Sequence, residues 1–271
     1  MKNNNITAEM IQKNFISKIS YFSKYNNKIK ISENDEFLRV DSMLPSDTFN
    51  ICVLKYRKSL EKYDIFCEMT EYFNKKSFPA AVWIWDDNSD AKEKMQKNGF
   101  ALSEIETGMC IKTVEIVTKA YKHNNIEIRK VSSCEEMEDF SDVVASIFGE
   151  TKESHYVREQ YGILAKKKIY TGTDMIFYVG YYNNEPVSCG TVYITVESTG
   201  IYDVVVKEKH RNKGFGSSMF AYLMNEAKKN NTKYCVLQAS SDGAGIYRKM
   251  GFVDVCSIDI YENRDFLEKI N

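Results

Sequence analysis

The chain has 271 residues, 28% of them charged, and a formal net charge of −1. That length holds one large domain or two of ordinary size, each able to bury its own core. The near balance of charge excludes a bulk electrostatic pull toward nucleic acid or a membrane surface.

No apolar run approaches the roughly 20 residues of a membrane-spanning helix. The start, Met1-Lys-Asn-Asn-Asn-Ile, lacks the apolar core of a secretory signal, so a cytoplasmic protein is expected. Seven cysteines (52, 67, 110, 134, 189, 235, 256) are scattered without a C-x-x-C pair. This argues against a metal site and a disulfide framework, and for buried, inert thiols.

In the amino-terminal half, Phe78–Trp85 has strand character and places Trp83 and Trp85 on one face. The two indoles either pack in a core or line an acceptor pocket. A helical stretch follows Asp86-Asp-Asn-Ser89 and ends Lys94-Met95-Gln-Lys-Asn-Gly99-Phe100, and Gly108–Val114 reads as the next strand. The polar stretch Tyr121–Asn125 is the expected boundary between domains 1–120 and 126–271.

In the second half, Ser133-x-x-Glu136 predicts a capping box. It opens a helix with Met137, Phe140, Val144 and Phe148 on its apolar stripe. A second helix is expected over 153–168. Strands at 175–182 and 186–196 are joined by Asn183-Asn184-Glu185, which predicts a hairpin. A third strand, 200–206, runs into Lys207-Glu-Lys-His-Arg211-Asn-Lys-Gly214-Phe-Gly216-Ser217, a loop of the form R-x-x-G-x-G. Its glycines let backbone N–H groups approach an anion, and the helix that follows adds unpaired amides and the positive end of its dipole. Met219, Phe220, Leu223, Met224 and Ala227 fall on one face of that helix. The four cations around a single glycine turn match a pyrophosphate, whereas nucleic acid asks for a wider patch. A strand at 233–239 leads to Gln238-Ala-Ser240-Ser-Asp-Gly243-Ala-Gly-Ile-Tyr247-Arg-Lys-Met-Gly251-Phe252, a short helix, and then a last strand.

The glycine loop and the Tyr247 helix, in this order, resemble the Gcn5-related N-acetyltransferase (GNAT) superfamily over roughly residues 126–261. The resemblance implies an α/β fold with a mixed sheet and acetyl-CoA as cofactor. It implies that the backbone of Val204, Val205 and Val206 binds the pantetheine arm and polarises the thioester. The amides of Arg211, Asn212, Lys213, Gly214, Phe215, Gly216 and Ser217 would hold the pyrophosphate. Ser240, where the family has asparagine, would keep one cofactor hydrogen bond, and Gly243 replaces the family alanine. Tyr247 is the implied general acid, since a phenol beside the sulfur can protonate the departing thiolate.

For the general base, Asp203 on the strand entering the loop and Glu197 at the end of the preceding strand both stand as candidates. Each also reads as a solvated carboxylate. His155 reads as exposed and His210 as a neighbour of the cofactor.

The Lys94–Phe100 end aligns with Arg248–Phe252 and puts Met95 where Tyr247 stands. With no R-x-x-G-x-G before residue 124, the first half reads as a degenerate copy of the same fold. The expected reaction is direct transfer of an acetyl group to a primary amine, on a small molecule or a peptide, in a ternary complex. No nucleic-acid or membrane partner is expected, and the chain is expected to be a monomer or homodimer. The alternative reading is a non-catalytic acyl-CoA sensor.

Overall fold

In the computed structural model, residues 2–55, 63–85, 89–117 and 126–270 are described. They fall into two compact units. The first comprises 1–109, 238–245 and 254–271, and the second comprises 110–237 and 246–253. The expected boundary at 121–125 lies outside the described residues. Residues 254–271 belong to the first unit, so the chain returns to its amino-terminal half at its end.

In the first unit, α1 (Lys2–Ser20) precedes β1 (Lys30–Glu33), β2 (Phe37–Asp41) and β3 (Ile51–Leu54). Next come α2 (Tyr63–Lys76), β4 (Ala81–Trp85), α3 (Ser89–Lys97) and β5 (Ala101–Lys112). The sheet runs β1-β2-β3-β4-β11-β5, with β11 (Val253–Glu262) supplied from the far end of the sequence. Strands β3 and β4 are parallel, while β11 pairs antiparallel with β4 and sets Ile258 opposite Trp85 and Ile260 opposite Trp83.

Alternation along β4 divides its side chains between two layers. Val82 and Ile84 pack with Phe66, Met69 and Phe73 of α2 and Ala91 and Met95 of α3. Trp83 and Trp85 turn the other way, onto Phe15 of α1, with ring centroids 4.4 and 5.5 Å away. Met95, aligned with Tyr247, is a fully buried core residue here. Asn263, just before α8 (Arg264–Ile270), closes the unit. It accepts from the Ala80 N–H (2.9 Å) and donates to the Asn74 carboxamide (2.9 Å) and the Phe78 carbonyl (3.1 Å).

The second unit holds β6 (Ile126–Lys130), α4 (Cys134–Ala145), α5 (Lys152–Lys166), β7 (Met175–Tyr182), β8 (Glu185–Ile194) and β9 (Ser198–Val206). It continues through α6 (Phe215–Lys229) and β10 (Tyr234–Ala239), which α7 (Ser241–Lys249) follows. Sheet order is β10-β9-β8-β7-β6; the β9–β10 pair is parallel and the others antiparallel. The expected helix start forms: Ser133 Oγ accepts from Glu136 N–H at 3.2 Å, and the Glu136 carboxylate reaches back to Ser132 N–H at 2.8 Å.

The hairpin also forms, with Asn183 and Asn184 at φ 51° and 62°. Two consecutive left-handed residues match the twist of the flanking strands, and asparagine tolerates them. Gly180 and Gly190 let α6 close onto the sheet. A Cβ at Gly190 would meet Leu223 Cδ1 at 2.5 Å, and one at Gly180 would lie 3.3 Å from Met219 Cε. All five residues of the α6 stripe are buried. No cysteine is joined in a disulfide, and burial pushes the Cys52 thiol up to about 12 and Cys110 to about 11.

Candidate functional site

The ladder between β9 and β10 covers only Ser198–Gly200 and Tyr234–Val236. Among the described residues, β9 from Ile201 onward therefore has no strand paired on that edge, and Val204–Val206 lie in this unpaired stretch. On its other edge β9 pairs with β8, but the register shifts between Cys189 and Thr191, where Asp203 takes φ 53°. A left-handed non-glycine residue in a bulged strand is costly and is characteristic of functional segments.

Beyond Val206 the chain folds back through a tight turn. His210 and Arg211 donate their N–H groups to the carbonyls of Lys207 (2.8 Å) and Glu208 (3.0 Å). The Arg211 amide is thus already used, contrary to the expectation that it joins the anion cradle; its guanidinium lies on the Val206 carbonyl instead (Nε–O 3.4 Å). Asn212 (φ 61°) and Gly214 (φ 82°) turn the chain into α6, which begins at Phe215.

Gly214 stands at the N-cap and has no side chain with which to cap the helix, and no acidic residue occupies the first turn. By contrast, Ser133 caps α4 and Thr151 caps α5. The first-turn amides of α6 at Gly216 and Ser217 point out of the helix start, where an outside acceptor can take them. Arg211, Asn212, Lys213 and Gly214 are exposed around them. The donor set and charge fit a pyrophosphate.

His210 is buried against Tyr182 and Phe215, with Nε2 3.4 Å from the Glu185 carboxylate. It anchors the turn and does not face the loop's open side. Lys209 also pairs with Glu185 at 2.5 Å, and this hydrogen bond holds the Glu185 carboxyl below its ordinary value.

Tyr247 sits in the last turns of α7, its ring 4.5 Å from Phe220 of α6 and 6.3 Å from Phe252. Its carbonyl accepts from Met250 and Phe252 and so ends the helix, with Gly251 at φ 97°. Gly245 is exposed in the same helix, and a Cβ there would touch nothing within 4 Å. We expect Gly245→Ala to stabilise the protein by about 0.5–1 kcal/mol, read by thermal unfolding, because it removes unfolded-state freedom without strain.

Ser240 belongs to the first unit, where its carbonyl accepts from Gly243 and Ala244 N–H at the start of α7. Within the second unit, α5 brings Tyr161 close to Asp203. Tyr161 is buried and edge-on to Phe140, and burial first, then the Asp203 charge, push its phenol well above the ordinary value. Glu197 is exposed at the opposite end of β9 from the loop, roughly 25 Å away along the strand. That separation removes it as a base candidate. His155 is exposed on α5. Tyr161 carried no signal in the sequence beyond being one of 18 tyrosines.

Residues 173–254 match the family described as "Acetyltransferase (GNAT) domain". Among solved structures, a GCN5-related N-acetyltransferase from Kribbella flavida is similar over 93% of this chain and 95% of its own, with a TM-score of 0.66 at 12% identity. A conserved protein of unknown function from Staphylococcus epidermidis covers 86% and 92%, with a TM-score of 0.62 at 18% identity. A tandem GNAT protein from the clavulanic acid biosynthesis pathway covers 83% and 77%, with a TM-score of 0.55 at 8% identity. No curated protein matches the sequence significantly. At these identities the structures share the fold. No helix among the described residues is long and apolar enough to cross a membrane.

Proposed function

We propose that the chain, whose residues 173–254 match the GNAT acetyltransferase domain family, is an acetyl-CoA-dependent N-acetyltransferase acting on a primary amine by direct attack in a ternary complex. The observation that carries this reading is the uncapped start of α6. Gly214 at φ 82°, outward first-turn amides and no acidic residue in the first turn form a seat for a pyrophosphate. Bound there, acetyl-CoA supplies an activated thioester as acyl donor.

The chain's own residues do the rest. Asn212 to Ser217 hold the phosphates through backbone amides, and the open edge of Val204–Val206 aligns an extended arm by main-chain hydrogen bonds. Tyr247 Oη holds the proton destined for the leaving sulfur. Its ring is fixed by Phe220, so the phenol is oriented before the reaction starts. Asp203 takes a proton from the acceptor ammonium, directly or through water, so that the free amine attacks the thioester; the bulge that turns its backbone is the supporting observation.

The amino-terminal half is, in this reading, a degenerate copy of the fold without a cofactor loop or acid of its own. The unit's buried Met95 in place of a phenol supports its lack of turnover. The test is release of free thiol from acetyl-CoA with a panel of primary amines. Amine-dependent release supports the transferase. Tight acetyl-CoA binding without release on any amine supports an acyl-CoA sensor instead.

A further inference from the structure

The phosphate seat at the start of α6 has no anchor of its own. Asn212 and Gly214 take left-handed backbone, Gly216 follows closely, and no side chain caps the helix. A turn built this way loses much freedom when it orders, so its amides keep one direction only if something outside fixes them.

The tip of the β7–β8 hairpin supplies that fixing, within the second unit. Asn183 and Asn184 turn the chain so that Tyr182 and Glu185 stand opposite each other across the ladder. Directly paired residues present their side chains to the same face, and both meet the turn that follows β9. The Glu185 carboxylate takes Lys209 Nζ on one oxygen at 2.5 Å, and its other oxygen lies 3.4 Å from His210 Nε2. The Tyr182 ring stands 6.3 Å from His210 and 5.1 Å from Phe215, the first residue of α6. His210 is 7% exposed, and its Nδ1 is shut off from solvent without a protein partner. The direction of its ring therefore rests on Glu185 and the two aromatic neighbours. Further bonds close the turn. Lys207 N–H donates to the Val187 carbonyl at 3.0 Å, His210 N–H to that of Lys207 at 2.8 Å, and Lys213 Nζ to that of Lys209 at 2.9 Å.

We infer that His210, oriented by Glu185, is the positioning residue of the phosphate seat. It touches no phosphate; it fixes the turn that presents the amides of Asn212–Ser217, so that they are aimed before the cofactor arrives. This rests on the transferase reading, and it gives Glu185 a role opposite in sign to its charge. A carboxylate near the seat repels phosphate, so its removal should tighten binding on electrostatic grounds alone. Removal of a positioning contact should weaken it.

Calorimetric titration with acetyl-CoA and, separately, with inorganic pyrophosphate compares the native chain, His210→Ala and Glu185→Ala. Losing the aim of one amide on a phosphate oxygen weakens binding about tenfold, and that is the loss expected in His210→Ala. Glu185→Ala should weaken binding about threefold, by the same factor for both ligands. The Glu185 side chain is 40% exposed, so its loss leaves the core untouched and tests the inference even if His210→Ala fails to fold. With an amine that supports turnover, the KM for acetyl-CoA should rise by these factors while kcat holds.

Unchanged or tighter acetyl-CoA binding in Glu185→Ala, or unchanged binding in folded His210→Ala, would overturn the inference and leave the transferase reading standing. A loss confined to acetyl-CoA, with pyrophosphate unaffected or unbound, would overturn it as well, since the contact would then act away from the seat. Pyrophosphate binding that the variants weaken, in a chain that binds no acetyl-CoA, would uphold the positioning role and sink the transferase reading. Native protein that binds neither ligand would overturn both.

Discussion

Tyr247→Phe is expected to lower kcat about 100-fold while leaving the KM for acetyl-CoA nearly unchanged. The phenyl ring keeps its 4.5 Å contact with Phe220 and the Phe252 neighbour, so neither α7 nor the fold should change. What is lost is one hydroxyl, and with it, on the proposed mechanism, the proton delivered to the leaving sulfur. General acid catalysis of this kind contributes about 10²–10⁴ in rate. The loss should appear in kcat because the phenol acts in the transition state and adds little to ground-state binding. Steady-state kinetics of the native chain and the variant, with acetyl-CoA and the acceptor amine each varied, checks it. An unchanged kcat would leave Tyr247 as a packing residue.

The second large effect is on stability. Asn263 is fully buried and satisfies three partners from the Asn74–Ala80 stretch, some 180 residues earlier in the chain. Removing its carboxamide takes the acceptor from the buried Ala80 N–H and the donor from the part-buried Phe78 carbonyl. At about 1–3 kcal/mol for each orphaned group, Asn263→Ala should cost about 3 kcal/mol. Urea unfolding followed by tryptophan fluorescence is the right readout, because both tryptophans lie in this unit. By the same logic, a fragment ending near residue 120 should not fold alone, since it lacks β11 and the Asn263 anchor.

That anchor marks where the sequence stopped being informative. The α6 stripe, the helix cap at Ser133 and the Asn183-Asn184 hairpin were legible because each is a local rule: a period of 3.6, a hydroxyl before an acid, two residues that tolerate positive φ. The glycine loop was legible because its chemistry is written in its spacing. The place of β11 was not. Nothing in Val253–Glu262 says whose edge it will join, because strand pairing is decided by long-range partners. Gly108 reads in sequence as the start of a strand, but β5 begins at Ala101. Ser103, Glu104 and Glu106 interrupt its apolar run, so apolar patterning does not mark the first half of the strand. Asp203 was visible as a residue but not as a bulge, since its left-handed backbone follows from the register shift against β8. Tyr161 could not be told from the other tyrosines until α5 set it beside Asp203.

The central claim, that the start of α6 holds the cofactor's pyrophosphate, is tested most directly by calorimetric titration of acetyl-CoA into the native chain and into Gly214→Glu. Gly214 is exposed and at φ 82°, so a side chain there strains the turn by about 1–2 kcal/mol without disturbing the core. Its carboxylate would cap the first-turn amides and repel the phosphates. The account predicts saturable binding by the native protein and none by the variant, with both equally folded by circular dichroism. Equal binding by the two would contradict it, as would native protein that binds no acetyl-CoA at all.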